Sequence, residues 1–287
     1  MKTNTLRLAV QKDGRLTEET LGLLRASGLE FESYGRKLFS ACRNFPMNIV
    51  YVRDDDIPSL VATGTVDIGI LGQNVLNEKR AEVKKLLNLR YGFCTLAVSV
   101  PKESSVSSVS DLAGKIIATS YPKSAARFFR EQNINVTIIP IEGSVEVMPS
   151  LGAASAIVDL VSSGSTLLVN DLRLLTPIYR SEAVLIANTQ SIRANRSSQR
   201  IRELVTRFKS VLSAKNCKFI IFTAPQAASQ KLKKIIPSLT PRASQAQTTD
   251  STLEGVVNEE AFWSMLGRLR ALGATNIRLM PIENSIL

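Results

Sequence analysis

Apolar residues along the chain fall into two regimes: short unbroken runs, and stretches where they recur every three or four positions. Leu6 to Val10, Pro46 to Val52 and Val66 to Leu71 are runs of the first kind and read as buried strands, with Asp67 inside the third. Thr17 with Glu18 and Glu19 predicts a capped helix start, and Gly28 its end. Asp54, Asp55 and Asp56 open a short helix that runs to Gly64. A second series begins with the extended run Arg90 to Val100 and the linker-like PKESSVSSVS. Lys115 to Ser120 follows as strand, Pro122 to Gln132 as helix and Asn135 to Ile141 as strand. Ile157 to Leu167, IVDLVSSGSTL, is a further strand that turns into a loop of small hydroxyl residues, with a helical-looking run behind it. Ala183 to Ala187 reads as a strand returning to the first series, and Ile201, Leu204, Val205, Phe208, Val211 and Leu212 keep helix spacing. Strands alternating with helices predict an α/β architecture with mostly parallel sheets.

After Lys215 the pattern changes. Lys218 to Thr223 reads as strand and Gln226 to Ile236 as helix; extended pieces lie at Arg242 to Thr248 and Leu253 to Val257. Glu259 to Leu272 is an amphipathic helix with Phe262, Met265, Leu266 and Leu269 on one face, and Ile277 to Ile282 closes as strand. This βαββαβ order is the ferredoxin-like unit.

Composition narrows the chemistry. The 287 residues suffice for a sizeable core and about two domains. There is no histidine, which excludes a Ser-His-Asp triad, histidine metal ligands and a histidine base. Carboxylates, Arg, Lys, Tyr, hydroxyls or backbone must do the work. The net charge of +11 suits a polyanionic small substrate. No nucleic-acid motif accompanies it, so no nucleic-acid partner is expected. Cys42, Cys94 and Cys217 are far apart and read as core residues of a cytoplasmic protein. No apolar stretch is long enough to span a membrane, and none reads as an export signal.

Four strand-end turns carry polar or charged residues: QKDGRL, VDIGILGQN, EGSVE and VSSGST. In open α/β sheets ligands bind at the carboxyl ends of strands. In the last turn Ser162, Ser163, Gly164, Ser165 and Thr166 leave backbone N–H groups open to an anion, Gly164 lets the backbone come close to it, and Asp159 stands just before, where a carboxylate can hold sugar hydroxyls. An ordinary Ser-capped turn explains the same residues. Lys12 and Arg15 can clamp phosphates or be solvated charges. Asp67, buried, needs a ligand or a structural partner. Tyr121 can stack on a base or pack in the core, and Asp54 to Asp56 suits a helix start better than a metal.

Together the stretches QKDGRL, RDDDIP, VDIGILGQNVL, KIIATSYP, GSVEVMP, IVDLVSSGSTL and LGATNIRLMPIE resemble the long form of ATP phosphoribosyltransferase, the first enzyme of histidine biosynthesis, in the family's order over nearly the whole chain. The resemblance implies an α/β catalytic part of two lobes similar to type II periplasmic binding proteins, with residues 1–96 and 183–214 in one lobe and 97–182 in the other, and a regulatory ACT-like domain over 215–287. It implies that adenine N1 of ATP attacks the anomeric carbon of phosphoribosyl pyrophosphate, with Mg²⁺ as cofactor held mainly by substrate phosphates and waters rather than by protein.

By the same resemblance Ser162 to Thr166 cradle the 5′-phosphate and Asp159 faces the ribose. Lys12 and Arg15 meet phosphates, while Arg53, Asp67, Gly72, Tyr121, Glu142 and Glu146 form the ATP side of the cleft. Histidine is the implied effector, and a homo-oligomer, dimer or hexamer, the expected assembly. Two departures stand out. Ser155 occupies the place of a usual acid four residues before Asp159, which bears on a ribose or metal contact. Pro241, Arg242 and Ala243 replace a usual Pro-Thr pattern, which bears on histidine feedback. The alternatives are a catalytically impaired regulatory paralogue and a two-lobed binding protein for a small anion.

Overall fold

The computed structural model describes residues 5–32, 38–162, 164–242 and 249–286. It is a mixed α/β protein with three sheets. The first sheet runs in the order Phe39–Ala41, Met47–Val52, Leu6–Gln11, Ile68–Gly72, Ala183–Ala187, Lys84–Asn88. Met47–Val52 and Ile68–Gly72 both lie parallel to Leu6–Gln11, so their carboxyl ends share one edge. Ala183–Ala187 is antiparallel to Ile68–Gly72 and fully buried, which explains its unbroken apolar sequence.

The second sheet has the order Leu172–Ser181, Cys94–Pro101, Ala156–Val161, Ile116–Thr119, Thr137–Pro140. Its last three strands are parallel. Leu96, Val98, Ile117, Phe129 and Val158 make its core. The chain crosses between the two sheets at 89–93 and again at Ser181–Glu182. The crossings are bonded to each other: Leu89 N–H donates to Ala183 O at 2.9 Å, Ala183 N–H to Tyr91 O at 2.9 Å, and Glu182 accepts from Asn88 and from the Arg90 N–H.

The third sheet, Thr240–Pro241, Asp250–Asn258, Cys217–Pro225, Thr275–Pro281, is antiparallel throughout and carries helices Ser229–Ile235 and Glu259–Ala271. This is the βαββαβ unit read from the sequence. Phe262 and Leu269 are buried and Met265 and Leu266 pack against the same core. The expected extended piece at 242–248 falls mostly on residues 243–248, outside the described residues. The chain divides into two compact units, one reaching Arg25 and resuming over Leu29–Arg202, the other taking Ala26–Gly28 with the residues from Glu203 on.

Several elements depart from the pattern. The helix behind the small-residue loop is only Ser165–Val169, five residues, and the strand Leu172–Ser181 follows it. Two register shifts and Pro177 break that strand's alternation, and its edge position tolerates the missing donor. The short strands Phe39–Ala41 and Lys84–Asn88 also lie outside the predicted pattern. Thr17 does not act as the cap: it is the first residue of helix Thr17–Ala26, and its hydroxyl donates to Gln11 O at 3.3 Å.

Candidate active site

Each strand-end turn gets its shape from local chemistry. In QKDGRL the Gln11 amide oxygen accepts from Leu16 N–H at 3.2 Å and folds the turn back on itself. Gly14 sits at φ +141°, and a Cβ there would come within 2.4 Å of Gln11 Nε2, so only glycine closes the loop without a shift. Lys12 is half-buried, its N–H bonded to Val52 O at 2.8 Å. Arg15 is exposed, and its guanidinium donates to Gly92 O, on the first crossing, at 3.0 Å. Gly72 ends its strand and caps helix Gln73–Lys79.

In the second sheet, buried Thr119 sets the turn that carries Tyr121. Its hydroxyl donates to Val158 O at 2.6 Å and accepts from Tyr121 N–H at 2.8 Å, tying Tyr121 to the strand that bears Asp159. Ser120 donates to Ile141 O at 2.7 Å, joining the same turn to the one that carries Glu142. Glu146 lies on the short 3₁₀ turn Val145–Val147.

The turn at Tyr121, the turn that carries Glu142 and the segment from Arg53 line a cavity of about 610 Å³ whose walls include Arg53, Asp55, Asp56, Tyr121, Lys123 and Glu142; Lys12, Arg15, Gly72 and Glu146 are not among its lining residues. Arg53, Tyr121 and Glu142, three of the expected ATP-side residues, are therefore brought together. The electrostatics link Tyr121 to Asp159, expected on the ribose side, and Asp159 to Glu146. Burial pushes the Asp159 carboxyl above the ordinary aspartate value; its bond from Leu160 N–H at 2.7 Å opposes this and the nearby Glu146 charge adds to it. Burial likewise raises the Tyr121 hydroxyl, with the Asp159 and Asp54 charges adding and the bond from Asn74 opposing. Burial, with Asp55 beside it, raises Asp54. Tyr121 thus feels the charges of Asp159 and Asp54, and Asp159 that of Glu146.

Ser162, Ser165 and Thr166 are exposed beyond the end of strand Ala156–Val161, and Gly164 takes the left-handed conformation at φ +78°. Ser163 lies outside the described residues. Because the following helix has only five residues, its dipole adds little; hydroxyls and loop N–H groups are the donors on offer.

Asp67 does not join this site. It precedes strand Ile68–Gly72, at the end of the sheet away from the cleft. Its carboxylate accepts from Arg7 N–H at 2.8 Å and from the Ser191 hydroxyl at 2.9 Å, with the Arg7 guanidinium 3.6 Å away. That is the structural partnership a partly buried acid needs. Ser155 likewise precedes strand Ala156–Val161, and four residues of strand separate it from Asp159 by about 13 Å, too far for both to touch one ribose.

Asp54 to Asp56 form a 3₁₀ turn leading into helix Ile57–Ala62, with Asp55 paired to Lys79 at 3.4 Å. Among the described residues no group of three or more His, Cys, Asp or Glu is placed to hold a metal ion. Sequence reasoning missed Thr119, Asn74 and Glu78, which position the cleft walls. Thr119 carried a faint signal, a hydroxyl two residues before Tyr121 at the end of an apolar run; Asn74 and Glu78 carried none beyond their helix.

The family profile of ATP phosphoribosyltransferase matches residues 53–210. The ATP phosphoribosyltransferase of Cytophaga hutchinsonii is 40% identical over 99% of this chain and 99% of its own length. That of Bacteroides thetaiotaomicron is 37% identical over 98% and 100%. Among solved structures, the ATP phosphoribosyl transferase (HisG:HisZ) complex from Thermotoga maritima superposes with a TM-score of 0.62 at 27% identity, covering 71% of this chain and 99% of that one.

Proposed function

Because the chain belongs to the ATP phosphoribosyltransferase family, and so joins ATP to phosphoribosyl pyrophosphate in the first step of histidine biosynthesis, we propose that the cleft between its first two sheets carries the reaction. In that step adenine N1 forms a bond to the anomeric carbon while the bond to pyrophosphate breaks. Oxocarbenium character develops on the sugar and negative charge on the leaving group. Positioning and fixed charge carry such a step without a strong base, so a protein with no histidine suffices.

The observation that supports this reading is the cavity lined by Arg53, Tyr121 and Glu142, with Tyr121 tied through Thr119 to the strand that bears Asp159. Asp159 accepts from ribose hydroxyls and, with Glu146, offers negative charge to the oxocarbenium side. Ser162 to Thr166 hold the 5′-phosphate. Arg53, Tyr121, Gly72 and Glu142 form the ATP side, and Lys12 and Arg15 meet phosphates. The first two sheets act as the two catalytic lobes, close to the expected 1–96 with 183–214 and 97–182 except that the second lobe takes strand Cys94–Pro101 whole and the last compact unit starts at Glu203, ahead of the 215–287 expected for the regulatory and assembly domain.

Mg²⁺ fits this cleft as an ion carried on substrate phosphates, because Asp55 and Asp56 at the cavity wall can accept from its waters. When bound, it neutralises charge on the leaving pyrophosphate. A cytoplasmic location suits the three free cysteines Cys42, Cys94 and Cys217. No described helix is long and apolar enough to cross a membrane.

Asp159 is tested by its titration. Only the ionised carboxylate offers both oxygens as acceptors. Because burial raises its pKa, that form is lost at a higher pH than for an exposed aspartate as the solution is acidified. The kcat/KM for phosphoribosyl pyrophosphate therefore falls on the acid side through Asp159. Asp159→Asn removes that limb and lowers kcat/KM at neutral pH by about a hundredfold, the scale for one charge-stabilising group. An acid limb that persists in Asp159→Asn belongs to another residue and overturns the assignment.

For the C-terminal domain we propose weakened histidine feedback. Arg242 is exposed, its N–H bonded to Thr252 O at 2.9 Å and its guanidinium 4.0 Å from Glu254. Ala243, outside the described residues, offers no hydroxyl to an amino-acid ligand. Each hydrogen bond lost at a buried polar ligand costs about 1–3 kcal/mol, or about ten- to a hundredfold in affinity. Calorimetric titration of histidine into the full chain is expected to show weak binding and incomplete inhibition. Micromolar binding with full inhibition would refute the proposal.

A further inference from the structure

The helix Pro122–Glu131 begins at the cleft wall and does not cap itself. Its cap residue, Tyr121, makes no side-chain capping bond. The first-turn donors can be followed one by one. Pro122 has none. Ala125 N–H reaches Tyr121 O at 2.9 Å. Lys123 N–H donates to one oxygen of Glu78 at 2.7 Å, and Ser124 N–H to the other at 2.9 Å. Glu78 belongs to helix Gln73–Lys79, which follows strand Ile68–Gly72 of the first sheet, and is only 8% exposed. One lobe therefore supplies the cap for a helix of the other, with a buried carboxylate at the end where the helix dipole favours it.

One turn earlier on the same helix, Asn74 donates to the Tyr121 hydroxyl at 3.3 Å. Asn74 is itself fixed by Ser181, on the second crossing: Ser181 Oγ accepts from Asn74 N–H at 2.9 Å and donates to Asn74 Oδ1 at 3.0 Å. Ser124 adds a contact to the Tyr179 hydroxyl at 3.3 Å. Residues four apart share a helix face, so Asn74 and Glu78 grip Tyr121 and the two residues after Pro122 from one side.

We infer that Glu78 is a positioning residue for the transfer reaction, holding the Ser120–Tyr121–Pro122 wall of the cleft against the wall formed by Arg53 and Asp55. Glu78 contributes to neither sheet. What its carboxylate fixes is the relation between the two lobes, and with it the placing of the substrate that lies along Tyr121. Separating the lobes strips two helix N–H groups of their acceptor. A displacement of about 1 Å at a reacting centre can cost about a hundredfold in rate. This inference rests on the proposed reading of Tyr121 as part of the ATP side.

The test compares Glu78→Gln and Glu78→Asp with the full-length enzyme. Both substrates are varied in steady-state kinetics, and amide hydrogen exchange is followed at Lys123 and Ser124. An amide has only one acceptor oxygen, so Glu78→Gln leaves one N–H facing an NH₂ group. Its expected result is a loss in kcat/KM for ATP of about ten- to a hundredfold, with KM for phosphoribosyl pyrophosphate within about twofold. Exchange at Lys123 and Ser124 quickens while strand Ala183–Ala187 keeps its protection. Glu78→Asp keeps the charge and both oxygens on a shorter stem and recovers part of the loss. A KM rise confined to phosphoribosyl pyrophosphate instead would support the positioning role while overturning the substrate assigned to the Tyr121 wall. Kinetics within about twofold of the parent despite faster exchange would overturn the inference. So would a loss equal in both variants that only follows a lowered melting temperature.

Discussion

Gly164→Val is expected to abolish turnover, with a fall of about a thousandfold or more, the scale on which anion-stabilising donors act in a transition state. Two effects combine. Gly164 lies at φ +78° and ψ −3°, a conformation that a β-branched residue enters only with strain of about 1–2 kcal/mol. The variant is therefore somewhat less stable as well as inactive. The second effect is steric on the ligand side. A Cβ at 164 meets no atom of other residues beyond its chain neighbours within 4 Å, so, on the proposed reading of the loop as a phosphate cradle, the added side chain obstructs the ligand. Gly164→Asn separates the two, because asparagine tolerates the left-handed region. It is expected to melt close to the parent while its KM for phosphoribosyl pyrophosphate still rises. Were Gly164→Val to keep a near-normal KM for that substrate, the phosphate-loop assignment would fall.

The sequence was legible where structure is local. The parallel strands of the first two sheets are short apolar runs, and each ends in the polar turn that marks it. The βαββαβ unit showed itself through its order and the face of helix Glu259–Ala271. The carboxyl-end rule marked the turn that carries Glu142, and the family resemblance added Arg53 and Tyr121; the three line one cavity. Asp67 shows the limit of that rule. An acid within VDIGIL reads as buried, and Asp67 is in fact only partly so, because periodicity does not say at which residue the ladder begins. Leu8 pairs with Ile68, leaving Asp67 outside the strand to hold Arg7 and Ser191. Strand Leu172–Ser181 was hidden because bulges and Pro177 destroy its period. Glu78 was hidden for another reason: on helix Gln73–Lys79 a glutamate reads as solvent-facing, and its partners lie 45 and 46 residues away. Tertiary partners of that kind leave no mark on local spacing.

Arg15→Ala is expected to lower kcat/KM by about two to three orders of magnitude, the effect of removing one charge-stabilising donor. The structure gives this residue a bond that the sequence did not. Its guanidinium donates to Gly92 O on the first crossing between lobes. That bond is exposed and joins a side chain to a backbone carbonyl, so its loss costs stability only about 1 kcal/mol. A large kinetic loss beside so small a stability change would therefore be charge acting on substrate. The planar fork has donors to spare after the bond to Gly92, so one side chain can hold the crossing and face a phosphate together. Arg15→Lys distinguishes the parts: it keeps the charge, loses the fork, and should fall between the parent and alanine. If alanine costs less than about tenfold, or about 1.4 kcal/mol, Arg15 is a surface charge that braces the crossing, and the phosphate contact passes to Lys12 alone.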